Sequence, residues 1–326
     1  MTSKTSDLKS ARIEIIDALR GFAIMSIMLL HNIEHFEYYN FPEFFPVWLK
    51  EIDKVVWDTM FFLFGGKSYA IFALLFGFSY YIQNENQSKK GMDFRGRFFW
   101  RMLLLLFFGI VNTAFYQGDI LTLYAFLGLF LIPVTNWSNK AVFITLGKVA
   151  SLLWSWENGR FFQAPALFMF GMLLGRKKLF ITTETSIDFW KKVLRYSLIL
   201  FIPLYFIKTY MTEMISRPTL SNKLTIIFAS WSNVAFMLVI VATFILLYQK
   251  EAMNKWLIKL IPFGKMSLTN YIMQSMIGAF IYYRYGLGLF EYTGASFCII
   301  IGFCLFIIQL SFCKWWLKSH SYGPLE

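Results

Sequence analysis

The sequence predicts an all-α integral membrane protein of about ten transmembrane helices, with both termini in the cytoplasm. Three observations carry this. Apolar residues make up 57% of the 326-residue chain, aromatics 20% and charged residues only 15%, too greasy a balance for an ordinary soluble domain. The apolar residues gather into runs of bilayer length, which for a helix is about 20 residues. Lys and Arg fall mostly in every second loop, the pattern of cytoplasmic loops. The net charge of +12 is therefore read as topogenic, and no nucleic-acid partner is expected. No soluble domain or nucleotide-binding glycine motif interrupts the helices, so ATP chemistry of the Walker type is not expected. Residues 1–326 read as a single polytopic membrane domain.

Residues 1–14 are polar, with Lys4, Lys9 and Arg12, and are expected in the cytoplasm. The first helix, IDALRGFAIMSIMLLHNIEHF over 16–36, carries charges and lacks a small-residue cleavage site, so it is expected to stay as a signal anchor. It holds Asp17, Arg20, His31 and His35. At about 100° and 1.5 Å per residue, the steps from Arg20 to His31 return to within roughly 20° of the same face and climb about 16 Å. That is about half of a ~30 Å hydrocarbon core. Charge in a bilayer costs several kcal/mol without a partner or water, so such residues usually mark a site. The bland alternative pairs Arg20 with Asp17 one turn back and makes His31 a hydrogen-bonded interfacial residue.

Residues 34–54, rich in acids and aromatics and interrupted by Pro42 and Pro46, read as an external loop. They could shape an acceptor pocket or simply form an aromatic belt. The next apolar stretch, 55–83, is long for one span and has Gly65, Gly66 and Lys67 near its middle. Such an interruption can break a helix and offer backbone amides to an anion. Lys67 is then a second intramembrane cation, or else a snorkelling one. The segment NENQSKKGMDFRGRFFWR carries Lys89, Lys90, Arg95, Arg97 and Arg101 and reads as internal. Its charge suits topology and anionic headgroups, or a phosphate-attracting rim for a cytosolic donor.

A helix over about 99–116 leads to the turn QGDIL and a return helix over about 120–134, with Asp119 as a natural N-cap. Asn112 needs an interhelical partner. Helices over about 141–156, with Lys148, and 164–175 follow; Gly171 and Gly175 have the small-residue spacing that lets helices approach closely. Helices over about 193–209 and 225–248 come next. A ninth begins near MSLTNYIMQS, with a polar face of Thr269, Asn270, Gln274 and Ser275, and a tenth over about 296–312 leads to the tail YGPLE. Cys298, Cys304 and Cys313 lack metal-ligand spacing and read as inert thiols. With three histidines, one of them His320 in the tail, no metal is expected.

RIEIIDALRGFAIMSIMLLHN, GGKSYAIFALLFGFSYYIQ, FFGIVNTAFYQGDILTLYAFLG, FMFGMLLGR, FGKMSLTNYIMQSMIG and YGPLE, in that order, resemble the YeiB-type bacterial membrane proteins. That group is similar in its N-terminal half to the transmembrane acyltransferases, among them heparan-α-glucosaminide N-acetyltransferase and the membrane O-acyltransferases that decorate surface glycans. The resemblance implies an acyltransferase-like half over 1–140 and a YeiB-type half over 141–326, in a bacterial cytoplasmic (inner) membrane. It implies transfer of an acyl group from cytosolic acyl-CoA, acetyl-CoA first among donors, to an acceptor (glycan, lipid or small molecule) at the outer side. Arg20 matches the arginine near the cytosolic end of the first helix, and His31 falls where the O-acyltransferases have a histidine. The sequence departs from YeiB-type proteins, which usually show Asn at the position of His31 and His at the position of Asn112.

The expected catalytic group is His31 as base, with Asn112 or Lys67 at the oxyanion and Asp119 orienting the acceptor or a ring nitrogen. Arg20, Lys67, Arg97 and Arg101 are expected to bind the donor. Partners expected are membrane lipids, acyl-CoA and an unidentified acceptor, with a homo-oligomer left open. Two rival classes are weighed: a multi-helix transporter or lipid flippase working by alternating access, and a noncatalytic partner in envelope assembly.

Overall fold

The computed structural model describes residues 2–37, 42–151, 160–181, 183–214 and 218–326, and no strand occurs among them. Fourteen α-helices follow in order among these residues. They are α1 (Thr2–Ile33), α2 (Val47–Phe64), α3 (Lys67–Ser88), α4 (Arg95–Thr113), α5 (Leu121–Gly128), α6 (Leu131–Val134) and α7 (Asn139–Ser151). Then come α8 (Arg160–Arg176), α9 (Glu184–Met214), α10 (Pro218–Tyr248), α11 (Glu251–Leu257), α12 (Ile261–Lys265), α13 (Ser267–Tyr282) and α14 (Ala295–Trp316). Five stretches of the described residues are long and apolar enough to cross a membrane: Val47–Ser88, Arg95–Thr113, Glu184–Tyr210, Leu224–Tyr248 and Ala295–Trp316.

The helix expected over 16–36 runs Thr2–Ile33, taking in the polar residues before it, the one expected over 193–209 runs Glu184–Met214, and three further segments change. The 55–83 segment breaks at Gly65-Gly66, where Gly66 takes φ 73°, a left-handed value that costs glycine little. Its first half starts earlier, at Val47, because Pro46 at φ −63° and ψ 154° holds the chain extended just before the helix. The helix expected over 120–134 is two pieces, α5 and α6. The helix expected over 141–156 is α7; residues 152–159 lie outside the described residues.

The chain divides into two units. The first comprises residues 1–16, 70–103 and 123–255. Its α3 and α8 cross antiparallel at backbone contact. A Cβ on Gly77 would lie 1.9 Å from the Phe168 carbonyl oxygen, and one on Gly171 would lie 1.9 Å from that of Leu74. Gly175 is filled by Tyr81 in the same way. The two glycines read from sequence as packing residues have that role. Phe76, Phe98, Tyr124 and Phe168 pack edge to face and tilted around this crossing, with Phe76 and Phe168 centroids 4.7 Å apart. α9 and α10 pair through Phe201 and Phe236, while Tyr196, Ile199, Ile202 and Phe206 of α9 stay exposed, as lipid-facing side chains do.

The second unit comprises residues 17–69, 104–122 and 256–326. Here α1 meets α12 at another glycine pair: a Cβ on Gly21 would lie 2.3 Å from the Leu260 oxygen, and one on Gly264 would lie 1.8 Å from that of Asp17. α13 and α14 run antiparallel. Asn270 lies 3.2 Å from Cys313 at one end, and toward the other both helices meet Asn32, Tyr282 donating to its Oδ1 at 3.0 Å and Gly302 lying against its side chain. Asp53 of α2 accepts a hydrogen bond from the Ser296 N–H at 2.8 Å and so caps α14 from a remote segment. After α1, His35, Phe36 and Glu37 all take left-handed φ of 47°, 52° and 77°. That turn drives the Phe36 ring into the space left by Gly278.

Candidate functional site

His31 sits in the second unit, fully buried on α1. Four rings surround its imidazole: Tyr116 at 4.4 Å between centroids, Phe36 at 5.5 Å, Tyr69 at 6.0 Å and Tyr271 at 6.1 Å. The ring nitrogen Nε2 is hydrogen-bonded to the Tyr69 hydroxyl. The other nitrogen, Nδ1, has no hydrogen-bond partner among the described residues. A buried polar atom left open in this way calls for a proton, water or substrate to meet it.

Asn112 is fully buried on α4 and donates from Nδ2 to Asp119 Oδ1 at 3.0 Å; its own Oδ1 is open. The second carboxylate oxygen of Asp119 accepts from the Thr122 N–H at 3.0 Å and its hydroxyl at 3.1 Å. Asp119 is thus the N-cap of α5 that the sequence predicted. Burial pushes its carboxyl above the usual carboxylate range, against the opposing pull of the Thr122 and Asn112 hydrogen bonds. No hydrogen bond joins His31 to Asn112 among the described residues. Two tyrosines link them instead. The Tyr116 N–H donates to the Asn112 carbonyl at 2.9 Å while its ring lies on His31, and the Tyr271 hydroxyl accepts from the Ile120 N–H at 3.4 Å beside Asp119.

The expected cations have separate situations. Arg20 pairs with Asp17 at 2.8 Å, as the bland reading had it. Lys67 is buried and donates to the Phe61 carbonyl at 3.2 Å, with the Phe62 ring 6.0 Å away, so it serves the C-terminal end of α2 where a cation is favoured. Arg97 and Arg101 belong to the first unit and are exposed.

Sequence reasoning missed the tyrosines. Tyr69, Tyr116 and Tyr271 read as three among many aromatics, and nothing local marks them. Gln274 did show, as part of the polar face of the ninth helix. It is fully buried, and neither its amide nitrogen nor its oxygen has a partner among the described residues. It lies one turn from Tyr271, which faces His31, and one turn from Gly278, which faces Phe36. One turn beyond His31, His35 Nε2 lies 3.1 Å from Cys298 Sγ and 3.3 Å from Thr293 Oγ1. The cysteines are free thiols.

The fold and site therefore define an all-helical protein with apolar helices fit for a multi-pass membrane protein and a caged histidine in one unit. Residues 174–326 match the family described as "Protein of unknown function (DUF418)". Over 100% of its length the chain is 26% identical to "Uncharacterized protein YxaH" of Bacillus subtilis (strain 168), covering 95% of that protein. It is 28% identical over 97% of its length to "Uncharacterized 39.9 kDa protein in amylase 3'region" of Bacillus acidopullulyticus, covering 92% of it. No solved structure matches the chain significantly.

Proposed function

We propose that this chain is a membrane-embedded acyltransferase of the YeiB type, spanning a bacterial cytoplasmic membrane about ten times with both termini inside. It takes an acyl group from cytosolic acyl-CoA, acetyl-CoA first, and delivers it to a hydroxyl or amine acceptor at the outer side. The observation that carries this reading is His31: an imidazole in an aromatic cage, one nitrogen on the Tyr69 hydroxyl and the other open. The acceptor's O–H or N–H gives its proton to His31 as the oxygen or nitrogen attacks the thioester carbonyl. The tetrahedral intermediate collapses, the C–S bond breaks, and His31 returns the proton to the departing CoA thiolate.

The Gln274 amide, with both ends open and on the helix face shared with Tyr271, is better placed to steady the oxyanion than Asn112 or Lys67. Those two already donate to Asp119 and to Phe61. Arg20 draws the donor's phosphates at the cytoplasmic end, exchanging Asp17 for them. Asp119 positions Asn112 and the first turn of α5 and stays outside the proton path.

The deciding experiment incubates detergent-purified protein with radiolabelled acetyl-CoA and measures binding, for wild type and Arg20→Ala. Micromolar binding weakened by Arg20→Ala is expected; no binding of any acyl-CoA overturns the reading. The broken α2–α3 segment favours a second reading, a transporter built on a discontinuous helix. Substrate movement into vesicles without acyl-CoA identifies it.

A further inference from the structure

The α3–α4 turn carries a second arrangement that the transfer reaction does not use. Gln83 and Gln87 stand one turn apart on α3, and Arg97 and Arg101 stand one turn apart on α4. They form two rungs: Arg97 donates to Gln87 Oε1 at 3.2 Å and Arg101 to Gln83 Oε1 at 2.5 Å. A neutral amide orients a guanidinium without cancelling its charge. The contacts made by Arg97 are all to neutral groups, the second being Met92 Sδ at 3.9 Å. Among the described residues, Glu85 pairs with Lys89 at 3.0 Å and Asp93 with Arg95 at 2.8 Å. The latter pair holds the Asp93 carboxyl below its usual range and so keeps it ionised on Arg95.

Two positively charged forks about 6 Å apart along one helix suit an anion with several acceptor oxygens, and guanidinium binds phosphate bidentately. The face decides which phosphate. Phe98 and Met102 are buried, while Phe99, Trp100 and Leu103 are exposed on the opposite side, Trp100 at 62%. Arg97 and Arg101 lie at the edge between the two faces, with Trp100 about 60° round from Arg97. α4 is one of the stretches apolar enough to cross a membrane. An exposed tryptophan beside cations at the start of such a helix is the pattern of a headgroup zone.

We infer that Arg97 and Arg101, held by Gln87 and Gln83, bind the phosphate of an anionic phospholipid, whose chains lie along Trp100 and Leu104, both exposed beside the arginines. This replaces the donor-rim role expected of the two arginines and holds whether or not the chain transfers acyl groups.

Native mass spectrometry of the detergent-purified full chain, titrated with phosphatidylglycerol or phosphatidylcholine, tests it. Retention of phosphatidylglycerol should exceed that of phosphatidylcholine about tenfold. Arg97→Gln with Arg101→Gln should lose that preference. Gln83→Glu with Gln87→Glu should lose it too, while raising the melting temperature, because ion pairs then join α3 to α4. Opposite movement of binding and stability separates a ligand site from a packing role. Equal retention of both lipids, or full phosphatidylglycerol binding in the glutamate variant, overturns the inference. Displacement of phosphatidylglycerol by millimolar CoA or inorganic pyrophosphate also overturns it, and returns the arginines to a soluble phosphate.

Discussion

Glu326 begins α13 together with Thr269. Its Oε1 accepts the Leu268 N–H at 2.8 Å and the Thr269 N–H at 3.2 Å, and its Oε2 accepts the Thr269 hydroxyl at 2.7 Å. The carboxylate thus caps a helix 57 residues upstream, at the end where the macrodipole favours an anion. Burial raises its pKa above the ordinary value of 4.5, against the pull of those hydrogen bonds and of Arg20.

The pH dependence follows in sign. A carboxyl with a raised folded-state pKa contributes stability that is complete below its unfolded-state value and is lost as pH rises through the folded value. The melting temperature of wild type relative to Glu326→Gln should therefore fall as pH rises above 4.5. Glu326→Ala should cost about 1 kcal/mol by loss of the cap. A pH-independent difference between wild type and Glu326→Gln in thermal scans would refute the assignment.

His31→Ala should abolish acetyl transfer, a loss of about 10²–10⁴-fold, while acetyl-CoA binding persists. Tyr69→Phe should lower the rate less, because the imidazole stays caged but loses the hydroxyl on Nε2. Single-turnover rates beside binding isotherms check both; full transfer by His31→Ala removes the base.

Asp119→Asn keeps an acceptor for Thr122 and should be tolerated. Asp119→Ala should destabilise by about 1 kcal/mol through the lost α5 cap, and should also lower transfer by releasing Asn112 and the turn on which Tyr271 rests. Equal stability of the two variants would place the cap elsewhere.

Gly278→Ala puts a methyl carbon 2.0 Å from the Phe36 ring and should cost about 1–3 kcal/mol by overpacking. Adding Phe36→Leu should recover part of that loss, so the double variant should be more stable than the sum of the singles. Strict additivity in thermal unfolding would show that the ring has room to move.

Much of this was legible in the sequence because it is local. The Gly65-Gly66 break, the Asp119 cap, the close packing at Gly171 and Gly175 and the pairing of Arg20 with Asp17 all rest on residues within a turn or on glycine's missing side chain. The cage around His31 was not legible, because its walls come from Tyr69, Tyr116 and Tyr271 on three other segments. Lys67 read as an intramembrane cation awaiting a ligand, since sequence alone does not show that α2 ends its carbonyls against it. Arg97 and Arg101 read only as rim charge, because their glutamine partners lie on another helix, α3.

The remote caps also bear on how the chain is made. The first amides of a helix have no partner within it, so a helix whose first turn is closed by a distant carboxylate waits for that carboxylate. For α14 the wait is short, because Asp53 has been synthesised 243 residues before Ser296. For α13 it is not, since Glu326 leaves the ribosome after the whole of α14. The α13–α14 hairpin therefore first forms with one end open, and its last hydrogen bonds close only after synthesis has passed both helices.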